Sequence, residues 1–249
     1  MNTLTQVKDS IALESRNNGL SANTLLAIAW IPLIIVIVYS AILIIPLTRR
    51  TAILALQENQ PVELVTFLFA IAGGIWGLIL AWQVKQHHEG KVAFWFYLFF
   101  ALGLLLIGAE EVAWGQWFLG FDTPTAIESV NTQDELTLHN HEFFNDHLEI
   151  FPLTFGISGL IGVWLHKIRA WRKISASYAL FSWFAIITLV CAIDMFQDFV
   201  VIQQQLDDLI NHLDEVIEML VTMAGFLYIW LNWQKFTFQW QMKQNQFDR

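Results

Sequence analysis

Six apolar stretches, each near or above the length that crosses a bilayer, limit this chain to very few folds. They cover residues 25–47, 62–84, 92–118, 151–166, 178–200 and 216–233. A spanning helix needs about 20 apolar residues, since each adds about 1.5 Å toward a hydrocarbon core about 30 Å thick. Only 14% of the residues are charged, against about 25% in a typical soluble domain. The sequence therefore predicts an all-α, polytopic membrane bundle of about six transmembrane helices.

The charged residues predict how the bundle is oriented. Eleven of the 13 Lys and Arg residues fall on one side of a six-span chain, and only Arg49 and Arg50 fall on the other. Because Lys-rich and Arg-rich loops stay in the cytoplasm, both termini are expected on the cytoplasmic side of the cell membrane. We expect three segments: a cytoplasmic tail at 1–21, a membrane domain at 22–234 and a second cytoplasmic tail at 235–249. The membrane domain includes an acidic outer loop at 119–150.

Composition excludes several classes of protein. The net charge of −9 leaves no basic face for nucleic acid. Cys191 is the only cysteine, so neither an intramolecular disulfide nor a cysteine-based zinc site is possible. The first apolar stretch has no small-residue cleavage pattern and is expected to stay as a span. Closely spaced glycines at 73, 74 and 77 and at 156, 159 and 162 predict close helix packing.

Carboxylates gather near the outer ends of three spans. Counted from the inner end of each span, Glu110, Asp194 and Glu218 lie 19, 16 and 17 residues along the helix. At 1.5 Å per residue, all three lie about 24–29 Å from the inner boundary, just inside the outer edge of the core. An ionisable group at membrane depth is costly and marks a functional site. The sequence therefore predicts a shared carboxylate site at the outer face.

Such a site needs compensation, because like charges in a low dielectric raise one another's pKa. Bound protons, charged histidines or a bound cation would each supply it. Mixed carboxylate and imidazole ligands suit divalent zinc, manganese or iron. Glu110 and Glu111 are the candidate catalytic carboxylates, with Glu111 as general base. The candidate metal ligands are His139, Asp194, Glu218 and Glu110, and further candidate site residues are Trp114, Gln116, Asn140 and Glu215.

The acidic outer loop carries local helix signals. Thr123 before Pro124 fits a helix cap, and Thr132 with Glu135 fits a capping box. A short interfacial helix lying over the carboxylates would bring His139 and its neighbour to them. The loop is therefore expected to complete the site.

Three functions fit this pattern. The first is a metal-dependent, membrane-embedded hydrolase or transferase that acts on a lipid-like substrate. The second is a cation- or proton-coupled carrier, although the chain shows neither a mid-span acid nor the internal repeats typical of carriers. The third is a noncatalytic membrane subunit that docks a partner protein through its acidic outer face. Membrane lipids are expected partners in all three.

The string E-E-V-A-W-G-Q at 110–116, followed by L-H-N at 138–140, resembles a family of uncharacterised bacterial multi-spanning membrane proteins. That family has E-E-I-S-W-G-Q-R, then L-H-N, then an acidic start to a late span. Glu215 and Glu218 match the acidic late span, whereas Ala113 and Trp117 stand where the family has Ser and Arg. The resemblance implies a bacterial inner membrane and brings no known activity. The layout is also similar to that of alkaline-ceramidase-like membrane hydrolases, although this chain lacks their paired histidines on the last helix.

Overall fold

A computed structural model describes residues 3–56, 60–123, 137, 150–197 and 204–247. Within these residues every regular element is a helix, and six helices are long and apolar enough to cross a membrane. The α-helices are α1 Thr3–Asn18, α2 Ala22–Ile44, α3 Pro46–Ala55, α4 Pro61–Gln86, α5 Lys91–Glu110, α6 Gln116–Leu119, α7 Ile150–Trp164, α8 Phe181–Gln197 and α9 Gln204–Phe247. The predicted all-α, multi-pass bundle is confirmed.

The bundle has two chemically different ends. The acidic end contains the start of α4, the end of α5 and the early turns of α9, where Glu63, Glu111 and Glu218 lie. The basic end contains the start of α5 and the later turns of α9, where Lys91 and Lys235 lie. Because α4 and α5 pack side by side along a short connection, the ends of both helices are held in register.

Two predicted span boundaries are wrong for backbone reasons. The third span was expected to reach residue 118, yet α5 ends at Glu110 because the following residues adopt left-handed backbone conformations. The first span was expected to reach residue 47, yet α2 ends at Ile44 and Pro46 begins the separate helix α3. Proline cannot continue the preceding helix but suits the first turn of a new one.

The last helix, α9, organises the packing of the bundle. It has 44 residues, which corresponds to a length of about 66 Å. It packs against α4, α8, α2 and α1. Glycines allow the closest approaches, as the sequence predicted: a Cβ added to Gly73 would lie 3.1 Å from the backbone of Phe226. The helix also runs through most of the segment that was expected to form a C-terminal tail, so that segment is continuous with the bundle.

A proline inside α2 is matched by a side chain from α8. Pro32 has no N–H, so it cannot bond the carbonyl of Ile28 one turn earlier. The indole Nε1 of Trp183 donates a hydrogen bond of 2.9 Å to that carbonyl. Trp183 is fully buried, so the bond replaces a lost helix bond and fixes α8 against α2.

Candidate functional site

The third span ends in a turn that holds Glu110 beside Trp114. Ala113, Trp114 and Gly115 all have positive φ, with values of 44°, 55° and 91°. For a residue with a Cβ this conformation is uncommon and costs about 1–3 kcal/mol, and such strain concentrates at functional sites. The indole Nε1 of Trp114 donates a hydrogen bond of 2.6 Å to Oε1 of Glu110. The turn itself therefore fixes one of the predicted carboxylates.

Glu111, the first residue after the third span, lies among carboxylates from three helices. Its side chain is partly buried, and burial is the largest effect that raises the pKa of this carboxyl group. Four neighbouring negative charges raise the pKa further, and in order of effect they belong to Glu218, Glu63, Glu215 and Glu110. Because α4, α5 and α9 each contribute, these five carboxylates meet only in the folded bundle. We call them the carboxylate cluster.

Close packing of α4 and α5 explains how Glu63 reaches the cluster. Pro61 occupies the first turn of α4, and Glu63 follows in the same turn, where an acidic side chain suits the helix N-terminus. At the adjoining end of α5, a Cβ on Gly108 would lie 2.8 Å from the side chain of Ile71. Because Gly108 has no side chain, α4 and α5 approach closely near the end that carries the carboxylates.

The helix α9 contributes Glu215 and Glu218, which are three residues apart and share one helix face. Glu215 is partly buried and Glu218 is exposed. Between and beside them, Val216 and Met219 pack in one apolar cluster with Val62, the neighbour of Glu63 in α4. This apolar contact holds the acidic stretch of α9 against the start of α4.

Asp194 lies on α8, which is not one of the helices that carry the carboxylate cluster. It is buried, with 7% of the residue exposed, and lies near the end of α8. The helix α8 packs against α7, α2 and α9, whereas α4 and α5 pack directly against each other. The structure therefore brings Glu110 and Glu218 to Glu111. Asp194 lies on α8, which packs against α9, one of the three helices that carry the cluster.

The remaining candidates divide between the turn and the loop. The side-chain amide of Gln116 donates a hydrogen bond of 3.0 Å to the hydroxyl of Thr123, which ties the start of the loop to α6. The predicted loop residues His139 and Asn140 lie outside the described residues, as does most of the predicted interfacial helix. Among the residues that the structure describes, no group of three His, Cys, Asp or Glu side chains has the geometry to hold a metal ion.

Glu63 is the cluster member that the sequence argument missed. The depth calculation considered acids well inside the apolar stretches, and Glu63 lies at the edge of one. A signal was present, since Pro61 marks a helix start and an antiparallel pairing of α4 with α5 places that start beside Glu110. Aligning the two helices end to end therefore predicts Glu63 beside the carboxylates of α5.

No protein-family model, curated protein or solved structure matches this chain. The fold and the site together define a multi-pass helical membrane protein with a carboxylate cluster at one end of its bundle. A fold alone does not determine a function, so the function has to be argued from this cluster.

Proposed function

We propose that this chain is a multi-pass protein of the cell membrane whose acidic end faces outward and binds a cation. The observation that carries the proposal is the meeting of five carboxylates from three helices around Glu111. Their charges repel one another where hydrocarbon limits solvation, and a cation bound among them relieves that repulsion. The excess of Lys and Arg at the opposite end supports an outward-facing cluster.

The function that we propose for the site is metal-dependent hydrolysis or group transfer on a lipid-like substrate. A divalent zinc, manganese or iron ion would lower the pKa of a bound water, and Glu111 would accept the proton. Glu110 and Glu218 are the proposed ligands within the cluster, and His139 and Asp194 remain predicted ligands. The position of the cluster at the end of the spans supports a lipid-like substrate, because lipid head groups lie at that level of a bilayer.

The experiment is a lipid-turnover assay in liposomes, with products identified by mass spectrometry in the presence of manganese, of zinc or of a chelator. We expect metal-dependent turnover by the parent protein and a loss of about 100-fold or more in Glu111→Gln, which removes the general base. Asp122 is an exposed carboxylate in the loop after α6, so Asp122→Asn is the charge-matched control and should keep its activity. Equal turnover by Glu111→Gln and the parent would refute the assignment.

The surroundings of Glu111 favour a second candidate, a proton-coupled carrier. Burial and four like charges raise the pKa of Glu111, so it binds a proton at a pH where an isolated glutamate is ionised. Proteoliposomes with a pH gradient test this directly. A carrier would move protons with its substrate in the parent and in Asp122→Asn, and Glu111→Gln would abolish the coupling.

A further inference from the structure

The basic end of the bundle contains a second polar site, separate from the carboxylate cluster. A cavity of about 10 Å³ lies there between α1, the connection from α7 to α8, and α9. That volume is about the size that holds a single water molecule. Its lining includes Glu14, Asn18, His166, Ser175, Asn232 and Lys235.

The carboxyl group of Glu14 is buried in this site. Only 6% of Glu14 is exposed. Its Oε2 accepts a hydrogen bond of 3.0 Å from the backbone N–H of Tyr178, and its Oε1 accepts one of 3.2 Å from the amide of Asn18. Burial raises the pKa of the Glu14 carboxyl group above its ordinary value, and the hydroxyl of Ser177 and the charge of Lys235 offset part of that rise. The partners of Glu14 are those that a phosphate or carboxylate ligand would need.

Hydrogen-bond donors and positive charge in the site exceed what Glu14 uses. Lys235 is buried, with 9% exposed, and gives one hydrogen bond of 2.7 Å to the carbonyl of Arg172, whereas an ammonium group has three donors. The charges of Arg172 and Lys235 both act on His166. The Nε2 atom of His166 is buried and has no hydrogen-bond partner in the described part of the chain. Such a group is rare in a native protein and calls for an explanation.

The wall of the site also has hydrogen bonds that do not involve α1. The hydroxyl of Tyr97 donates a hydrogen bond of 2.6 Å to the carbonyl of Lys173, and that of Tyr228 donates one of 2.7 Å to the carbonyl of Ile174. The N–H of Ala176 donates a bond of 3.0 Å to the carbonyl of Gly162. The connection between α7 and α8 is therefore held by α5, α7 and α9.

Polar side chains take part in the docking of α1. Among its described side chains, the buried ones are Ile11, Glu14 and Asn18, and two of these three are polar. A buried carboxylate adds little net stability, because the cost of its desolvation offsets much of the stabilisation from its hydrogen-bond and charge partners. Part of the docking of α1 therefore depends on the hydrogen-bond partners of one buried carboxyl group.

We propose that the basic end contains an anion-binding pocket that Glu14 fills from within the chain, and that an oxyanion replaces Glu14 when α1 moves away. The ligand class is a phosphate, either inorganic or in a lipid head group, since its oxygens can accept from Tyr178, Ser177 and Lys235 as the carboxylate does. In this arrangement α1 is a plug, and ligand binding competes with its docking.

The test removes the internal anion and supplies an external one. Glu14→Ala in detergent at pH 6.5 is heated with increasing inorganic phosphate, and sodium chloride keeps the ionic strength constant. We expect phosphate to raise the unfolding midpoint of Glu14→Ala by about 3 °C or more and to leave the parent unchanged. Arg16 is an exposed residue of the same helix, so Arg16→Ala is the control and should not respond.

A double variant and a proteolysis measurement test whether phosphate acts at this pocket. Adding Lys235→Met to Glu14→Ala should abolish the response, and an undiminished response would show a general salt effect and overturn the proposal. In the parent, high phosphate should speed proteolytic cleavage within α1, because the ligand competes with docking. Phosphate without effect on either protein would also overturn it.

A third arm identifies the source of the phosphate. Glu14→Ala is placed in nanodiscs that contain phosphatidic acid or phosphatidylcholine, in a buffer without phosphate. Stabilisation by phosphatidic acid alone would identify a lipid head group as the ligand. Stabilisation by free phosphate but by neither lipid would identify a soluble ligand, and no stabilisation in any arm would refute the pocket.

Discussion

Replacing Gly156 by alanine should push α7 away from α8, whereas the same replacement at Gly103 should be tolerated. A Cβ at Gly156 would lie 2.4 Å from the hydroxyl oxygen of Thr188 and 3.0 Å from its backbone nitrogen. The hydroxyl can rotate, but the backbone nitrogen moves only with the helix. A Cβ at Gly103, also within a spanning helix, would meet no atom within 4 Å.

The expected magnitude follows from two opposing effects. Overfilling a packed contact costs about 1–3 kcal/mol, and alanine in a helix gains about 0.5–1 kcal/mol over glycine. Because the clash at Gly156 involves backbone, we expect a net loss of about 1–2 kcal/mol there and a gain of up to about 1 kcal/mol at Gly103. For a chain of this size, the loss lowers the unfolding midpoint by about 2–8 °C.

The assay is thermal unfolding of both variants in one detergent, followed by tryptophan fluorescence. The parent and Gly103→Ala should unfold at similar temperatures, and Gly156→Ala should unfold first. Equal midpoints for the two variants would refute the close contact between α7 and α8, since helix propensity alone favours alanine at both sites.

Three further changes test other parts of the structure. Burial raises the pKa of Glu89, but hydrogen bonds and the charge of Lys173 outweigh it and lower that pKa below its ordinary value. The stability from Glu89 is therefore present above the ordinary glutamate pKa and lost as the pH falls through the lowered one, so acid unfolding of Glu89→Gln should depend less on pH. Trp114→Phe removes the hydrogen bond to Glu110 and should cost about 1 kcal/mol in urea unfolding, with no change expected if that bond is absent. Trp183→Phe leaves a buried carbonyl in α2 without its donor and should cost about 1–3 kcal/mol, and a neutral result would contradict the contact between α2 and α8.

Hydropathy predicted the fold well because a bilayer demands long apolar stretches and internal backbone bonding. It failed where the backbone changes direction inside apolar sequence. Residues 112–119 remain largely apolar, so hydropathy extended the third span through them. The structure ends that helix at Glu110 because Ala113 and Trp114 adopt positive φ, which hydropathy does not detect.

The carboxylate cluster could be predicted only in part. Counting residues along each helix gives depth, and this led to Glu110 and Glu218, which the structure places near Glu111. Depth does not show which helices are neighbours, so it could not identify Glu63, which reaches the cluster from the start of α4. The pocket around Glu14 and Lys235 could not be predicted, because its members come from opposite ends of the chain and meet only through packing.

Metal analysis of the detergent-purified protein tests the cation site most directly. The parent, the ligand variant Glu110→Gln and the control Asp122→Asn would be purified together and their divalent metals measured by mass spectrometry. The metal-enzyme proposal predicts stoichiometric metal in the parent and in Asp122→Asn, and little or none in Glu110→Gln, which removes a proposed ligand. Equal metal in all three proteins, or no metal in any of them, would contradict it.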